Sequence, residues 1–191
     1  MEKGGEMKKE IALTIANRLI NSGPVILLTT SYEGKSNIIT LAWQTPVSHS
    51  PPLVAVSVGK SRHSHTLVEK SKEFVLNIPT RELLKEVDYC GSVSGRKVDK
   101  FKETGLTPQP AKKVTAPLIG ECIGHLECRL SSSVPAGDHT VFIGEVIRAF
   151  ADASLFDGYW MVDRAKLIHH LGGDMYTLPD KRINLEELDT S

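Results

Sequence analysis

Apolar residues recur four apart near the start of the chain, at Ile11, Ile15 and Leu19, with Ala12, Ala16 and Ile20 beside them. This spacing predicts a helix over residues 7–20 with one apolar face. Asn21-Ser-Gly23-Pro24 ends it, because Gly suits a left-handed C-cap and Pro cannot continue a helix. The pattern then changes to short apolar runs. Residues 25–30, 36–43, 53–58 and 74–78 read as strands, the first two joined at the Glu33-Gly34 turn and the third entered through Ser50-Pro51-Pro52. A short helix is predicted over 64–70. A second one is capped by Thr80 and shares Leu83, Leu84 and Val87 on one face.

Residues 91–105 are rich in Gly, Ser and Lys and read as a surface loop with one helical turn. Residues 118–130 read as one long strand, 136–138 as a turn and 140–150 as the returning strand. Residues 159–170 read as strand or short helix, and a polar tail follows. Strands outnumber helices and come as hairpins with long insertions. The expected fold is therefore mainly β: an antiparallel barrel with helices at its ends, not a doubly wound α/β sheet. No repeat, low-complexity tract or linker divides the chain. The expected organisation is an N-terminal helix packed on the barrel (1–22), the barrel domain (23–171) and a C-terminal extension of the same domain (172–191).

Composition narrows the function classes. The 191 residues suit one domain, and a chain this long needs no disulfide or structural metal to fold. Lys plus Arg equals Asp plus Glu at 23 each, so charge gives no reason to expect nucleic acid or an anionic membrane as partner. No apolar run reaches the length of a membrane span. The first ten residues are polar and include acids, unlike a secretory signal, so the expected compartment is the cytoplasm. Cys90, Cys122 and Cys128 are too few and odd in number for a disulfide framework.

Several motifs are missing. No Gly-x-Gly-x-x-Gly follows a strand, and Gly91-Ser-Val-Ser-Gly95-Arg96-Lys97 lacks Walker spacing. Cys122, His125 and Cys128 are three apart. On one strand the two thiols share a face and the imidazole takes the other, so no metal site is expected there. His63 and His65 would share a face in an extended segment. Cys90 has no base near it in sequence and reads as a buried thiol.

Four segments carry the candidate chemistry. They are Asn37-Ile-Ile-Thr40-Leu-Ala-Trp43; residues 50–66 with Ser57, Val58, Gly59, Lys60, Arg62, His65 and Thr66; Glu73-Phe-Val-Leu-Asn77-Ile-Pro79; and Gly137-Asp-His139-Thr-Val-Phe-Ile-Gly144-Glu-Val. Lys97-Val-Asp-Lys100-Phe101 lies between the last two. In this order and spacing the chain resembles the flavin reductase-like family of FMN-binding split barrels, over residues 23–171. The flavoredoxin and archaeal ferric reductase branch is the most similar. The resemblance implies an antiparallel Greek-key split barrel, a homodimer and FMN as cofactor.

The residues make chemical sense for such a cofactor. A bound flavin needs anchors for a phosphate, partners for the ring edge and a dry face for the ring. Ser57, Gly59, Lys60, Arg62 and Thr66 offer hydroxyls, amides and charge to a phosphate; without the family likeness the same stretch is a solvated basic turn. Asn37, Thr40, Ala42 and Trp43 lie on one strand, where a bend would bring backbone amides and small side chains to the ring edge. Trp43 otherwise reads as a core or interface aromatic. Asn77 offers an amide to the ribityl chain or ring, or caps the turn before Pro79. Lys97 is a candidate cation near the ring, or a solvent-facing lysine. His139, on its Gly-Asp turn, is the candidate catalytic residue beside the ring, or a turn histidine.

Two functions compete. One is an NAD(P)H-dependent reductase of flavin or of ferric or other metal chelates, with hydride passing from NADH or NADPH to flavin N5 and electrons then to a small-molecule acceptor. The other is a non-enzymatic FMN electron carrier serving a protein partner. A split-barrel relative without flavin is the third reading. The insertion around 97–101 and the C-terminal extension favour the flavoredoxin-like branch. Trp43, Phe156, Tyr159 and Trp160 are the candidate aromatic contacts of the homodimer.

Overall fold

The computed structural model describes residues 10–21 and 23–185. Strand β1 (Ile26–Tyr32) turns through Glu33-Gly34 into β2 (Lys35–Leu41). Both turn residues carry positive φ, 49° and 74°, a backbone that matches the twist of the paired strands. The chain then bends at Ala42-Trp43 and resumes as β3 (Gln44–His49) and β4 (Pro52–Gly59). Helix α1 (His63–Ser71) leads into β5 (Glu73–Ile78). A 3-10 turn over Arg81–Leu83 runs into α2 (Leu84–Ser92), and α3 (Lys100–Thr104) follows. Strands β6 (Pro108–Gln109) and β7 (Leu118–Ile119) form a small ribbon. The long hairpin of β8 (Gly124–Ala136) and β9 (His139–Ala151) comes next. Helix α4 (Val162–Ala165) precedes the final hairpin of β10 (His169–Gly172) and β11 (Met175–Thr177).

Seven strands join in the order β2-β1-β5-β8-β9-β4-β3, every pairing antiparallel. The sheet curls until β4 meets the end of β2, where the Ser57 N–H donates to the Trp43 carbonyl at 2.9 Å. The result is an antiparallel split barrel. Its interior follows the two-residue period of strands: Ile26 and Leu28, Ile39 and Leu41, Val56 and Val58, Phe74 and Leu76, with Cys128, Phe142 and Val68 of α1. A second apolar layer lies outside β1 and β2. There Val25, Leu27 and Ile38 pack under Val87, Cys90, Phe101 and Ile168. The first part of β1 is buried on both faces, which is why residues 25–28 form an apolar run without alternation.

Several expectations change. Residues 7–9 of the predicted 7–20 helix lie outside the described residues. The remainder forms a 3-10 helix, Leu13–Leu19, whose Leu13, Leu19 and Ile20 are exposed, so its apolar stripe is not spent on the barrel core. The 36–43 strand divides at Ala42-Trp43, adding β3. Thr80 makes no cap; its hydroxyl bonds the Glu82 carboxylate. The 91–105 loop is not all surface, since α3 buries Lys100 and Phe101. The single 118–130 strand is two, broken by a turn that holds Cys122. His63 and His65 lie on α1, not on a strand. No described helix is long and apolar enough to cross a membrane.

Candidate functional site

The bend at Ala42-Trp43 opens a cleft of about 410 Å³ on the outer face of the barrel. Strand β2 contributes Thr40 and β4 contributes Ser57 and Gly59; the inner partners Ile39 and Leu41 only edge the cleft. Arg62 and Gly91 line one side, His139 and Trp43 another. The site is built by alternation: residues facing away from the barrel core are the ones free to line a cleft. Thr40 is held by a hydrogen bond from its hydroxyl to the Val87 carbonyl. The Trp43 and His139 rings lie 5.1 Å apart at 35°. His139 Nδ1 lies 2.8 Å from the Asp138 carboxylate, and that hydrogen bond holds the Asp138 carboxyl below its usual range.

A smaller pocket of about 110 Å³ adjoins this cleft and shares Ile39, Arg62 and Gly91 with it. Its other walls include Asn37, Ser61, His63, Ser94, Gly95 and Lys100. Close approach fixes one wall: a Cβ on Gly95 would fall 1.8 Å from Asn37 Oδ1. Lys100 is buried, and its ammonium donates to the carbonyls of Ile38 at 2.8 Å and Cys90 at 2.6 Å. Two of its three N–H groups are thus used, on neutral acceptors. Burial pulls the Lys100 ammonium down to about 8, and the nearby Arg62 charge acts in the same direction. His63 is lowered by burial, with Arg96 and Lys100 adding to it. Among the described residues no carboxylate lies within ion-pair distance of Arg62, His63, Arg96 or Lys100. Arg62 and Lys100 thus bring positive charge to this pocket with no carboxylate paired to either among the described residues. Burial raises the Cys90 thiol on its wall to about 11, which leaves it protonated and a weak nucleophile.

The predicted residues divide accordingly. Thr40, Ala42, Trp43, Ser57, Gly59, Arg62 and His139 come together in the larger cleft, and Asn37 lines the smaller pocket with Arg62. Val58 instead faces the barrel interior. His65 is buried between Thr140, 2.8 Å from Nε2, and Glu69, 3.4 Å from Nδ1; Thr66, also on α1, lines neither cavity. Lys60 is exposed and clamps the hairpin turn, its Nζ donating to the Gly137 carbonyl at 2.6 Å. Asn77 is saturated within the protein. Its amide donates to the Leu27 carbonyl and Thr29, while its oxygen bonds Ile119 N–H and His125 Nδ1. Lys97 is exposed and lines neither cavity; three residues on, Lys100 points inward.

Sequence reasoning missed one wall of the cleft entirely. Asn17, Arg18 and Asn21 reach it from the N-terminal segment, and His170, Gly172 and Gly173 from the β10–β11 hairpin. No motif marked them, because two chain ends far apart in sequence meet there. Lys100 had only a faint signal, its place directly before the aromatic Phe101.

The family described as "Flavin reductase like domain" matches residues 18–170. A protein of Escherichia coli strain K12, YddH, is 38% identical over 181 residues, covering 91% of this chain and 95% of that one. The crystal structure of flavoredoxin from Methanosarcina acetivorans is 29% identical, with a TM-score of 0.84, covering 94% of this chain and 95% of its own. Flavoredoxin of Desulfovibrio vulgaris (Miyazaki F) is 28% identical, with a TM-score of 0.83 over 93% of this chain and 96% of that one.

Proposed function

Since this chain belongs to the flavin reductase-like family, we propose that it is an FMN-binding oxidoreductase whose flavin occupies the two joined cavities. The carrying observation is their pairing. A cleft floored by Thr40, Ala42, Trp43, Ser57 and Gly59, with His139 and His170 on its walls, adjoins a smaller pocket where Lys100 has no carboxylate partner among the described residues, and Arg62 and Gly91 form the seam. A planar ring with a phosphate at the end of a short chain has this division of polarity. The fit extends to capacity: Lys100 keeps one N–H unspent, and Arg62 gives the seam a guanidinium, which suits a phosphate dianion.

Arg62, Lys100, Ser61 and the Ser94-Gly95 backbone would hold the phosphate. Thr40, Ala42, Trp43, Ser57 and Gly59 would line the ring, with His139 beside it. The chemistry FMN supplies when bound is hydride acceptance from NADH or NADPH and release of electrons to an acceptor. The chain's own part is orientation and charge. His139, donating from Nδ1 to Asp138, presents Nε2 to the cleft as a proton acceptor. Trp43 shields one side of the cleft from water.

A carrier that receives its electrons from a protein is the second reading, supported by the likeness to the two flavoredoxins. Anaerobic titration of the purified yellow protein with NADH and NADPH separates the two. Bleaching by either supports the reductase; bleaching only by dithionite supports the carrier. Colourless protein that takes up no added FMN refutes both. We further propose a homodimer, supported by exposed Leu13, Leu19, Ile20 and Tyr159; sedimentation of the holoprotein showing only monomer overturns it.

A further inference from the structure

Trp43 does not rest in the cleft by packing alone. Its indole N–H donates to Asn21 Oδ1 at 2.7 Å. Asn21 Nδ2 lies 3.3 Å from His170 Nδ1, and His170 Nε2 lies 2.9 Å from the Gly173 carbonyl. Donor and acceptor rules fix the direction of this chain. An indole N–H only donates, so the amide oxygen must face it. The amide nitrogen, which only donates, then meets Nδ1, which must carry a lone pair. The proton of neutral His170 therefore sits on Nε2 and goes to Gly173. One arrangement satisfies every group, and it requires His170 to be neutral.

We propose that Asn21 is a positioning residue of the candidate flavin site: its amide fixes the Trp43 indole against His139 and ties that placement to the protonation of His170. A protonated Nδ1 would face the amide N–H groups donor to donor. Asn21 satisfies imidazolium only by turning its oxygen to His170, and Trp43 then loses its acceptor. The amide serves one partner or the other.

Among the described residues, several titratable and charged groups lie around His170. Tyr176 of β11 stacks at 5.1 Å. Arg62 of the α1 approach and Asp88 of α2 share a cleft with it, Arg18 of the N-terminal segment passes Gly172, and His139 lines the same larger cleft. Asp174 and His169 are close in sequence.

The clasp is tested on the apoprotein, so it stands or falls apart from the flavin reading on which its catalytic meaning rests. The probe is the indole ¹⁵N–¹H resonance of Trp43, assigned with Trp160→Phe. Lowering the pH from about 8 to about 5 should move it toward the position of an unbonded indole. Asn21→Leu should give that unbonded position at every pH. His170→Gln keeps an acceptor without a titrating proton, and Asn21→Asp offers oxygens to both neighbours; both should hold the bonded position throughout. With FMN bound, the acid limb of the reduction rate should flatten in Asn21→Asp and His170→Gln. The proposal is overturned if Asn21→Leu leaves the indole signal in place, or if the pH response survives His170→Gln and vanishes in His139→Gln. Protein that binds no FMN yet shows the indole pattern would refute the flavin reading and keep the clasp.

Discussion

Among the described residues, Glu127 and Lys100 are the buried carboxyl and amine side chains, and the protein treats them differently. Glu127 on β8 is fully buried, yet it is complete. Its carboxylate accepts the backbone N–H groups of Lys112 and Lys113, and Arg148 Nε lies 3.6 Å away. It fastens the segment before β7 across the sheet. Lys100 is buried almost as deeply but has only two carbonyls, with Arg62 as a like-charged neighbour. An ion closed by its own fold is a fastener. On the proposed function, an ion left open beside a cavity is the half of a binding site that awaits a counter-charge, because a buried charge without one is costly.

The largest expected effect tests the closed member. Glu127→Ala removes the acceptor of the Lys112 and Lys113 N–H groups and leaves Arg148 without its partner, so it should cost about 2–4 kcal/mol in urea unfolding. FMN affinity of the folded fraction should stay within about twofold, since Glu127 lines neither cavity. A large affinity loss at unchanged stability would erase the contrast.

Lys100→Met tests the open member. It should weaken FMN binding by roughly 10- to 100-fold, the value of a charge-assisted contact, while moving apoprotein stability less than Glu127→Ala does. The pH dependence sharpens this. The folded Lys100 sits at about 8, below its unfolded value of 10.5. Between those values the unfolded chain holds more protons, so apoprotein stability should rise with pH across that window. FMN affinity should run the other way: the ammonium that meets the phosphate is lost as pH climbs through about 8. Isothermal titration from pH 7 to pH 9 should show affinity falling on the order of tenfold, and Lys100→Met should remove the slope.

A second contrast lies among exposed cations. Arg62 joins both cavities, whereas Lys72 is the exposed C-cap of α1 with φ 59°. Arg62→Ala should cost about 1.5–3 kcal/mol of FMN binding and Lys72→Ala no more than about 0.5. Equal small losses in equilibrium dialysis would move the phosphate elsewhere.

The same contrast explains what sequence made legible. The barrel was readable because its strands alternate, and one motif and one turn pointed to Thr40, Ala42, Trp43 and His139, which line one cleft. The sheet bend that adds β3 was not, because residues 36–43 stay apolar through it. Lys97 was preferred to Lys100 because both are lysines in one loop. Only the burial of Phe101 and the contact with Ile38 decide which of them turns inward. Asn77, chosen for a ligand, is spent on Leu27, Thr29, Ile119 and His125. An amide at a strand end reads the same whether it binds flavin or a neighbouring loop. Asn21 and His170 were invisible for a topological reason: they sit at opposite ends of the chain and acquire meaning only where β10 pairs back at Pro24.

The smallest effect concerns the one ionisable side chain in the ring cleft that has its own counter-ion. His139 is paired with Asp138, whose carboxylate is 93% exposed, so the pair is only partly withdrawn from water. It resembles Glu127 in having a partner and Lys100 in facing a cavity. Its expected role is therefore tuning, with the phosphate held elsewhere by Arg62 and Lys100. His139→Ala should leave FMN affinity within about threefold, equivalent to roughly 0.7 kcal/mol. Removing a group that favours negative charge on the reduced ring should lower the midpoint potential. The drop should reach about 30 mV for a two-electron couple, equivalent to about 1.4 kcal/mol. Asp138→Asn should produce the same sign with a smaller size, since the imidazole remains and loses its carboxylate. Redox titration of the three proteins, each saturated with FMN, reads this directly. If affinity collapses while the potential of the saturated protein holds, His139 is an anchor like Lys100, and the division of the cleft into a charged end and a tuning end is wrong.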